Sequence, residues 1–330
     1  MSEMAAMQLR TEECPACPMC GAEGRELHEG LKDHLFGAPG DWQLKRCAGG
    51  ACGLVWLAKR PTREDLPKVY ANYYTHAADG DAAAPSWRRR LDDALHRRLS
   101  RALDRLTGMH THREEHHWLT LKDAAPGRLL DVGCGNGRFL AKMRAAGWQV
   151  EGTDFDPAAV KHVREQLGVP AHCGDLESAG FPAGSFDVVV LQHVIEHVET
   201  PVDLLRECLR ILKPGGQLLL ITPNVESWGH RRFGPFWRGL EPPRHLCLYS
   251  KQTLAELARR AGFQVRRAFT SAAGAEFILA DSLAIERRIR RQPLPRRRTL
   301  SPQWLWQYRE FQRLSRDPDC GEEVILVATK

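Results

Sequence analysis

In the stretch FDVVVLQHVIEHV an apolar run from Val188 to Leu191 stops abruptly, and His193, Glu196 and His197 follow within five residues. Two imidazoles and a carboxylate at that spacing can do three things. Glu196 and His197 can satisfy backbone groups at the start of the next helix. One histidine can act as a general base towards a molecule that must lose a proton. The three together can ligate a divalent metal, for which imidazole and carboxylate are ordinary donors.

A second chemical set stands near the N-terminus. Cys17 and Cys20 form a C-x2-C pair before Gly21, and Cys47 and Cys52 form a C-x4-C pair before Gly53. Four thiolates on two tight turns predict a closed tetrahedral zinc site, and a closed ligand set serves structure, because no position stays open for substrate. Such a module has too few residues for its own core, so the metal would supply its folding energy. Cys14 is a spare thiol that could replace Cys17. The opening MSEMAAMQLRTEE lacks a secretion-signal pattern. No apolar run approaches the ~20 residues of a membrane span. The expectation is therefore a cytoplasmic protein with reduced cysteines and no transmembrane segment.

A third set is a glycine loop with acids around it. Gly133, Gly135 and Gly137 lie in LLDVGCGNGRFL, between an apolar run and a helical pattern. Glycines let the backbone approach a ligand, and the helix start offers free N–H groups. A dinucleotide loop would read G-x-G-x-x-G/A. Here Arg138 stands three after Gly135, and Asp131 precedes the loop, where it would repel a pyrophosphate and suit an ammonium group. Asp154, twenty-one residues beyond Gly133, can accept hydrogen bonds from both hydroxyls of a ribose, and Asp175 can receive an adenine amino group. Sites for an amine, a ribose and an adenine, with no phosphate clamp, describe S-adenosylmethionine.

The elements that must hold these residues alternate from Arg128 onward. RLLDV, WQVEGTDF, PAHCGD, FDVVVLQ, QLLLITPN, FQVRRAFTS and EEVILVATK read as strands. GRFLAKMRAAG, DPAAVKHVREQLG, PVDLLRECLRILKPGG and KQTLAELARRAG read as the intervening helices. This alternation predicts an α/β fold, a mainly parallel sheet with helices on both faces. Ligands in such sheets bind beyond the carboxyl ends of the strands.

LLDVGCGNGRFL, VEGTDFDP, GDLES, FDVVVLQHVIEHV and LRILKPGGQLLLITPN resemble, in order and spacing, the consecutive motifs of the class I S-adenosylmethionine-dependent methyltransferases. The resemblance covers about residues 111–270 and the final strand. It implies a Rossmann-like, seven-stranded sheet. It implies that Asp131 and the Gly133–Gly137 backbone hold the methionine part, and that Asp154 takes the ribose. It further implies that Phe155 lies against the adenine ring, that Asp175 and Leu176 flank it, and that Gln192 borders the sulfonium. HVIEH resembles the E-x-x-E-H element of divalent-metal-dependent ubiquinone-type and small-RNA O-methyltransferases, with His193 where those families have Glu. PPRHLCLYS resembles a segment of methyltransferases with an N-terminal cysteine ribbon, in which the histidine, here His245, points toward the active site. YANYY resembles the same group, so Tyr70 or Tyr74 could cover the cofactor.

The expected organisation is a zinc-ribbon-like module over 1–58, then a linker and basic amphipathic helix over 59–110. The methyltransferase domain follows over 111–330, with an insertion at about 272–319. The helix is marked by Leu91, Leu95, Leu99, Leu103 and Leu106. The lid NVESWGHRRFGPFWRGLEPPRHLCLYS carries Trp228, Phe233, Phe236 and Trp237, which could line an acceptor pocket, and arginines that could hold an acidic group. The insertion carries Arg287, Arg288, Arg290, Arg291 and Arg296 to Arg298, and a capping helix pair is the plain reading. The expected reaction is in-line methyl transfer to a small-molecule acceptor at oxygen, nitrogen or carbon, with His197, His245 or His193 as base. RNA methylation through the basic clusters is the alternative, weakened by a net charge of only +6. A non-catalytic adenosylmethionine-binding scaffold is the third.

Overall fold

The computed structural model describes residues 9–50, 52–70, 98, 100–292 and 302–330, with the backbone alone for 302–304. Its centre is a seven-stranded sheet. In spatial order the strands are Gln264–Ser271, Glu323–Thr329, Leu212–Pro223, Phe186–Gln192, Arg128–Val132, Gln149–Asp154 and Ala171–Cys173. The strands from Leu212–Pro223 to Ala171–Cys173 run parallel to one another, and Glu323–Thr329 runs antiparallel to both of its neighbours.

The side-chain period of two divides these strands between two cores. Leu130, Val189, Leu191, Leu218, Leu220, Val324 and Leu326 pack on one face. Leu129, Val188, Val190, Leu219, Ile221, Ile325 and Val327 pack on the other. Covering both faces explains why the central strands read as continuous apolar runs. The helices are Arg138–Ala145, Pro157–Leu167, Pro201–Ile211 and Lys251–Arg260. Pro157–Leu167 starts where the Asp156 side chain accepts from Ala158 N at 2.8 Å, and ends at Gly168 in the left-handed region.

Two expectations shift at element ends. The helix read through Gly216 stops at Ile211, and Leu212 already pairs beside Phe186. Pro214 disfavours a helical conformation at Lys213, so the chain turns extended early. Of the basic helix, residues 98 and 100–107 are helical, while Leu91, Leu95 and Leu99 lie outside the described residues.

The cysteine module is not self-contained. Its antiparallel sheet comprises Gly24–Leu31, Trp42–Cys47 and Val55–Leu57, and takes its fourth strand from Cys247–Leu248. Leu54 and Trp56 belong to the same core as Leu254 and Leu257. The insertion forms two helices, Ala275–Ile289 and Pro302–Arg313, and Arg296 to Arg298 lie outside the described residues. Among the described residues no helix is long and apolar enough to cross a membrane.

Candidate functional site

Asp131, Asp154, Asp175 and Gln192 end or follow four neighbouring strands, so the sheet delivers them to one edge. The Asp154 carboxylate accepts from Gly135 N at 2.7 Å and Asp156 N at 2.9 Å. It thereby holds the glycine loop open from behind. Gly135 has φ +50°, and a Cβ added there would meet nothing within 4 Å, so the loop presents bare backbone to open space. Gly133 is required for another reason: a Cβ would stand 2.4 Å from Val194 Cγ2.

Asp131 is the most telling residue. It is 2% exposed, and among the described residues its Oδ1 has no hydrogen-bond partner. Burial, with Asp154 nearby, pushes its carboxyl up to about 8. A buried carboxylate without a partner is costly and suits an arriving cation. Phe155 is a flat apolar ring, 73% exposed among the described residues. Asp175 accepts from Ser178 N at 2.8 Å through Oδ1, while Arg63 approaches Oδ2 at 3.8 Å. Leu176 is buried in the core, so only its backbone can meet an adenine edge. The loop, acids and ring fit an adenosylated ligand with an ammonium group.

At the other end of the same edge, Ile195–His197 form a single 3-10 turn. Glu196 is fully buried; its Oε2 accepts from Thr222 Oγ1 at 2.9 Å, and its Oε1 faces His193 Nδ1 at 3.4 Å. The His197 Nδ1 lies 3.1 Å from the Arg244 carbonyl oxygen and 2.9 Å from the Tyr70 hydroxyl. Tyr74 lies outside the described residues. His245 Nδ1 lies 2.7 Å from the Gly239 carbonyl oxygen. A carbonyl only accepts, so the Gly239 contact places the His245 proton on Nδ1; His197 Nδ1 can donate to the Arg244 carbonyl or accept from the Tyr70 hydroxyl, and the carbonyl pairing leaves its Nε2 as a lone pair. The two rings meet edge to face at 4.8 Å between centroids. Burial holds both histidines below their ordinary value.

The donors expected together were His193, Glu196 and His197. The structure instead gathers Glu196, His197 and His245, with one donor atom from each lying within 4.8 Å of the others. His193 takes a left-handed φ of +53° and turns to the last strand, where its Nε2 lies 2.9 Å from Glu323 Oε1. Its Nδ1 is 3.4 Å from Glu196 Oε1. Burial alone would lower this imidazole, yet the two carboxylates raise it to about 10.

The lid differs from expectation as well. Phe233 and Trp237 are buried in a core with Leu44, Leu248 and Leu279, and Trp237 Nε1 donates to Glu322 Oε2 at 2.7 Å. The lid arginines are engaged by carboxylates: Arg231 by Asp317, Arg232 by Glu286, Arg238 by Glu241 and Asp281, and Arg244 by Asp33 and Glu241. An acidic ligand would have to displace one of these.

The four cysteines converge. Cys17 Sγ is 3.6 Å from Cys52 Sγ, and Cys20 Sγ is 3.4 Å from Cys47 Sγ; all four sulfurs lie within 4.8 Å of one another. None is in a disulfide. Four sulfurs at ~2.3 Å from one ion in tetrahedral array would stand about 3.8 Å apart, so the set fits a metal. Burial pushes the Cys17 thiol up to about 11, so a metal must displace its proton. Cys14 is not one of the four; its carbonyl accepts from Trp56 Nε1 at 2.9 Å.

Comparison with known proteins decides the family. A family model described as a methyltransferase domain matches residues 88–268, more than half of the chain. The chain belongs to this methyltransferase-domain family. It is 33% identical over 162 residues to a protein of Mycolicibacterium smegmatis described as a probable S-adenosylmethionine-dependent methyltransferase, covering 46% of this chain and 61% of that one. It is 40% identical over 108 residues to a ubiquinone biosynthesis O-methyltransferase of Xanthomonas oryzae pv. oryzae, covering 31% and 45%. The chain thus spans less than two thirds of these relatives' length. In solved structures it is similar to a SAM dependent methyltransferase from Archaeoglobus fulgidus, at 19% identity over 67% of this chain and 93% of that one, with a TM-score of 0.44.

Several residues of this methyltransferase site were invisible in the sequence. Glu323 lies 130 positions from His193 and also bonds His116 Nε2 at 2.8 Å. The one available signal was GEEVILV, two acids opening an otherwise apolar strand. Glu241, Asp33 and the buried position of Arg244 carried no local signature.

Proposed function

We propose that the chain transfers a methyl group from S-adenosylmethionine to a small-molecule acceptor, with His197 as general base and a structural zinc ion in the Cys17, Cys20, Cys47, Cys52 set. The unpartnered, buried Asp131 oxygen beside the open glycine loop carries the cofactor half of this reading. Asp131 would pair with the ammonium, Asp154 would take the ribose hydroxyls, and Phe155 would stack on the adenine. The sulfonium supplies an activated methyl group when bound. The protein aligns the acceptor, worth about 7–11 kcal/mol of barrier at best. His197 Nε2 accepts the proton an oxygen or nitrogen acceptor releases. In this reading its Nδ1–H pairs with the Arg244 carbonyl, which keeps the lone pair aimed.

Asparagine at His197 should lower kcat by about a hundredfold while leaving cofactor affinity unchanged. Titration calorimetry and turnover with the extracted acceptor measure both quantities. An undiminished kcat removes the base. The acceptor class is found by incubating the protein with methyl-labelled cofactor and host extract, then separating small molecules, RNA and protein. Label in RNA, with affinity falling steeply as salt rises, would replace the small-molecule reading.

The carboxyl of Asp131 also makes cofactor affinity pH-dependent. With its folded value at about 8, against an ordinary 3.8, it is mostly protonated at pH 7 in the free protein. Pairing with an ammonium requires the ionised form. Affinity should therefore fall about fivefold from pH 8 to pH 7, and binding at pH 7 should release a proton. Calorimetry in buffers of different ionisation enthalpy reads that proton. The same raised value means the free protein loses stability as pH rises through about 8, with the full contribution present only below pH 3.8.

A second reading has one observation in its favour: Glu196, His197 and His245 form one donor set, with one donor atom from each within 4.8 Å of the others. Those three would hold a divalent cation, which would polarise an acceptor oxygen and favour its deprotonation. Activity lost to a chelator and restored by a divalent ion, in protein that keeps its zinc, supports that version; indifference to chelation supports the bare histidine.

A further inference from the structure

We propose that the N-terminal cysteine module is a wall of the acceptor site, with Asp33 as a positioning residue that acts through Arg244 on His197. This rests on the reading of His197 as the group that meets the acceptor.

Asp33 opens the turn between the strands Gly24–Leu31 and Trp42–Cys47. Its Oδ1 accepts from Leu35 N at 3.1 Å and Phe36 N at 3.0 Å, and its Oδ2 from Ala38 N at 2.9 Å. Arg244 Nη2 lies 2.8 Å from the same Oδ2, and neither side chain is more than 2% exposed. A guanidinium this deep is tolerated only where its surroundings compensate it fully. Here they do. Arg244 Nε lies 3.0 Å from Glu241 Oε1, Nη1 donates to the Val69 carbonyl at 2.9 Å, and the guanidinium carbon sits 4.5 Å over the Phe36 ring. Three of these four anchors, Asp33, Phe36 and Val69, come from the first 70 residues.

What the anchored side chain fixes is its own backbone. The Arg244 carbonyl is the acceptor that favours the Nδ1–H tautomer of His197, against the Tyr70 hydroxyl, which can donate to the same nitrogen. The residues after it are held by the same module. Leu57 N donates to the Leu246 carbonyl at 2.9 Å, and Cys247 and Leu248 pair with Trp56 and Val55. Thr253 Oγ1 donates to the Cys52 carbonyl at 2.9 Å. The segment 244–248 is therefore clasped between the four-cysteine site and His197. A module that merely recruited a partner would need no such buried ion pair to the lid.

Histidine tautomers can be read without an acceptor. Full-length protein labelled with 15N at histidine gives two-bond nitrogen–proton patterns that separate Nδ1–H from Nε2–H, and His197→Gln assigns the signal. Wild type should show His197 as Nδ1–H. In Asp33→Asn the His197 pattern should become a mixture, while those of His28 in the module and of His230 in the lid, whose Nε2 atoms lie 2.9 Å apart, stay unchanged. Metal content per chain and S-adenosylmethionine affinity should remain within twofold of wild type. Turnover of the extracted acceptor should fall about tenfold in kcat. If Asp33→Asn alone does not fold, Asp33→Asn with Arg244→Gln removes both charges at once and should give the same His197 change. A His197 pattern identical to wild type in whichever variant folds overturns the proposal. An unaffected kcat in His197→Asn instead overturns the base reading, and leaves the tautomer result to stand or fall separately.

Discussion

Replacing Asp154 by alanine is expected to weaken S-adenosylmethionine binding about a thousandfold, taking it beyond the reach of calorimetry at micromolar protein. Two losses combine. The carboxylate would accept both ribose hydroxyls, and each hydrogen bond to a charged group contributes ~1.5–3 kcal/mol. It also holds Gly135 N at 2.7 Å and Asp156 N at 2.9 Å, so its removal releases the glycine loop whose backbone faces the ligand. Asparagine separates the two effects. It can still accept from one backbone N–H and one hydroxyl, so it should lose far less. Micromolar affinity retained in Asp154→Ala would show that the ribose is held elsewhere and would withdraw the cofactor assignment.

The legible part of this molecule is the part in which chemistry and element lie within a few residues of each other. Asp131, Asp154, Asp175 and Gln192 each stand at or just beyond the end of an apolar strand, and a parallel sheet collects strand ends on one edge. That made the meeting of these four residues at one sheet edge readable from the chain. The two-core division of the sheet was readable too, because Val188 to Leu191 alternate between its faces.

The acceptor side was less legible for a topological reason. His193, Glu196 and His197 are adjacent in sequence, but their partners are set by which strand lies beside which. Glu323 reaches His193 because the last strand inserts antiparallel next to Leu212–Pro223. His245 joins Glu196 because Leu246 N donates to the Glu196 carbonyl at 2.7 Å. Periodicity reports which face a residue occupies, not which distant segment will cover it. The lid aromatics fail for the same reason: Phe233 and Trp237 read as pocket lining, but the insertion helix Ala275–Ile289 covers that side and turns them into core.

Serine at both Cys47 and Cys52 should abolish metal binding and with it the folded state of the whole chain, not of the module alone. Structural zinc contributes ~10–16 kcal/mol of apparent binding free energy at neutral pH. That is as large as the total stability of an ordinary domain. The coupling to the rest is physical: Cys17, Cys47, Cys52, Leu54 and Trp56 lie in one core with Leu205, Leu220 and Leu257. Loss of the cysteine turns would expose Trp56, now 1% accessible, and strip the partner strand from Cys247–Leu248. Metal analysis should fall from about one zinc per chain to none, and the cooperative thermal transition should disappear. Zinc retained in the double variant would place the ion elsewhere. Zinc lost with the transition intact would mean that the α/β domain carries its own stability and the module is dispensable for folding.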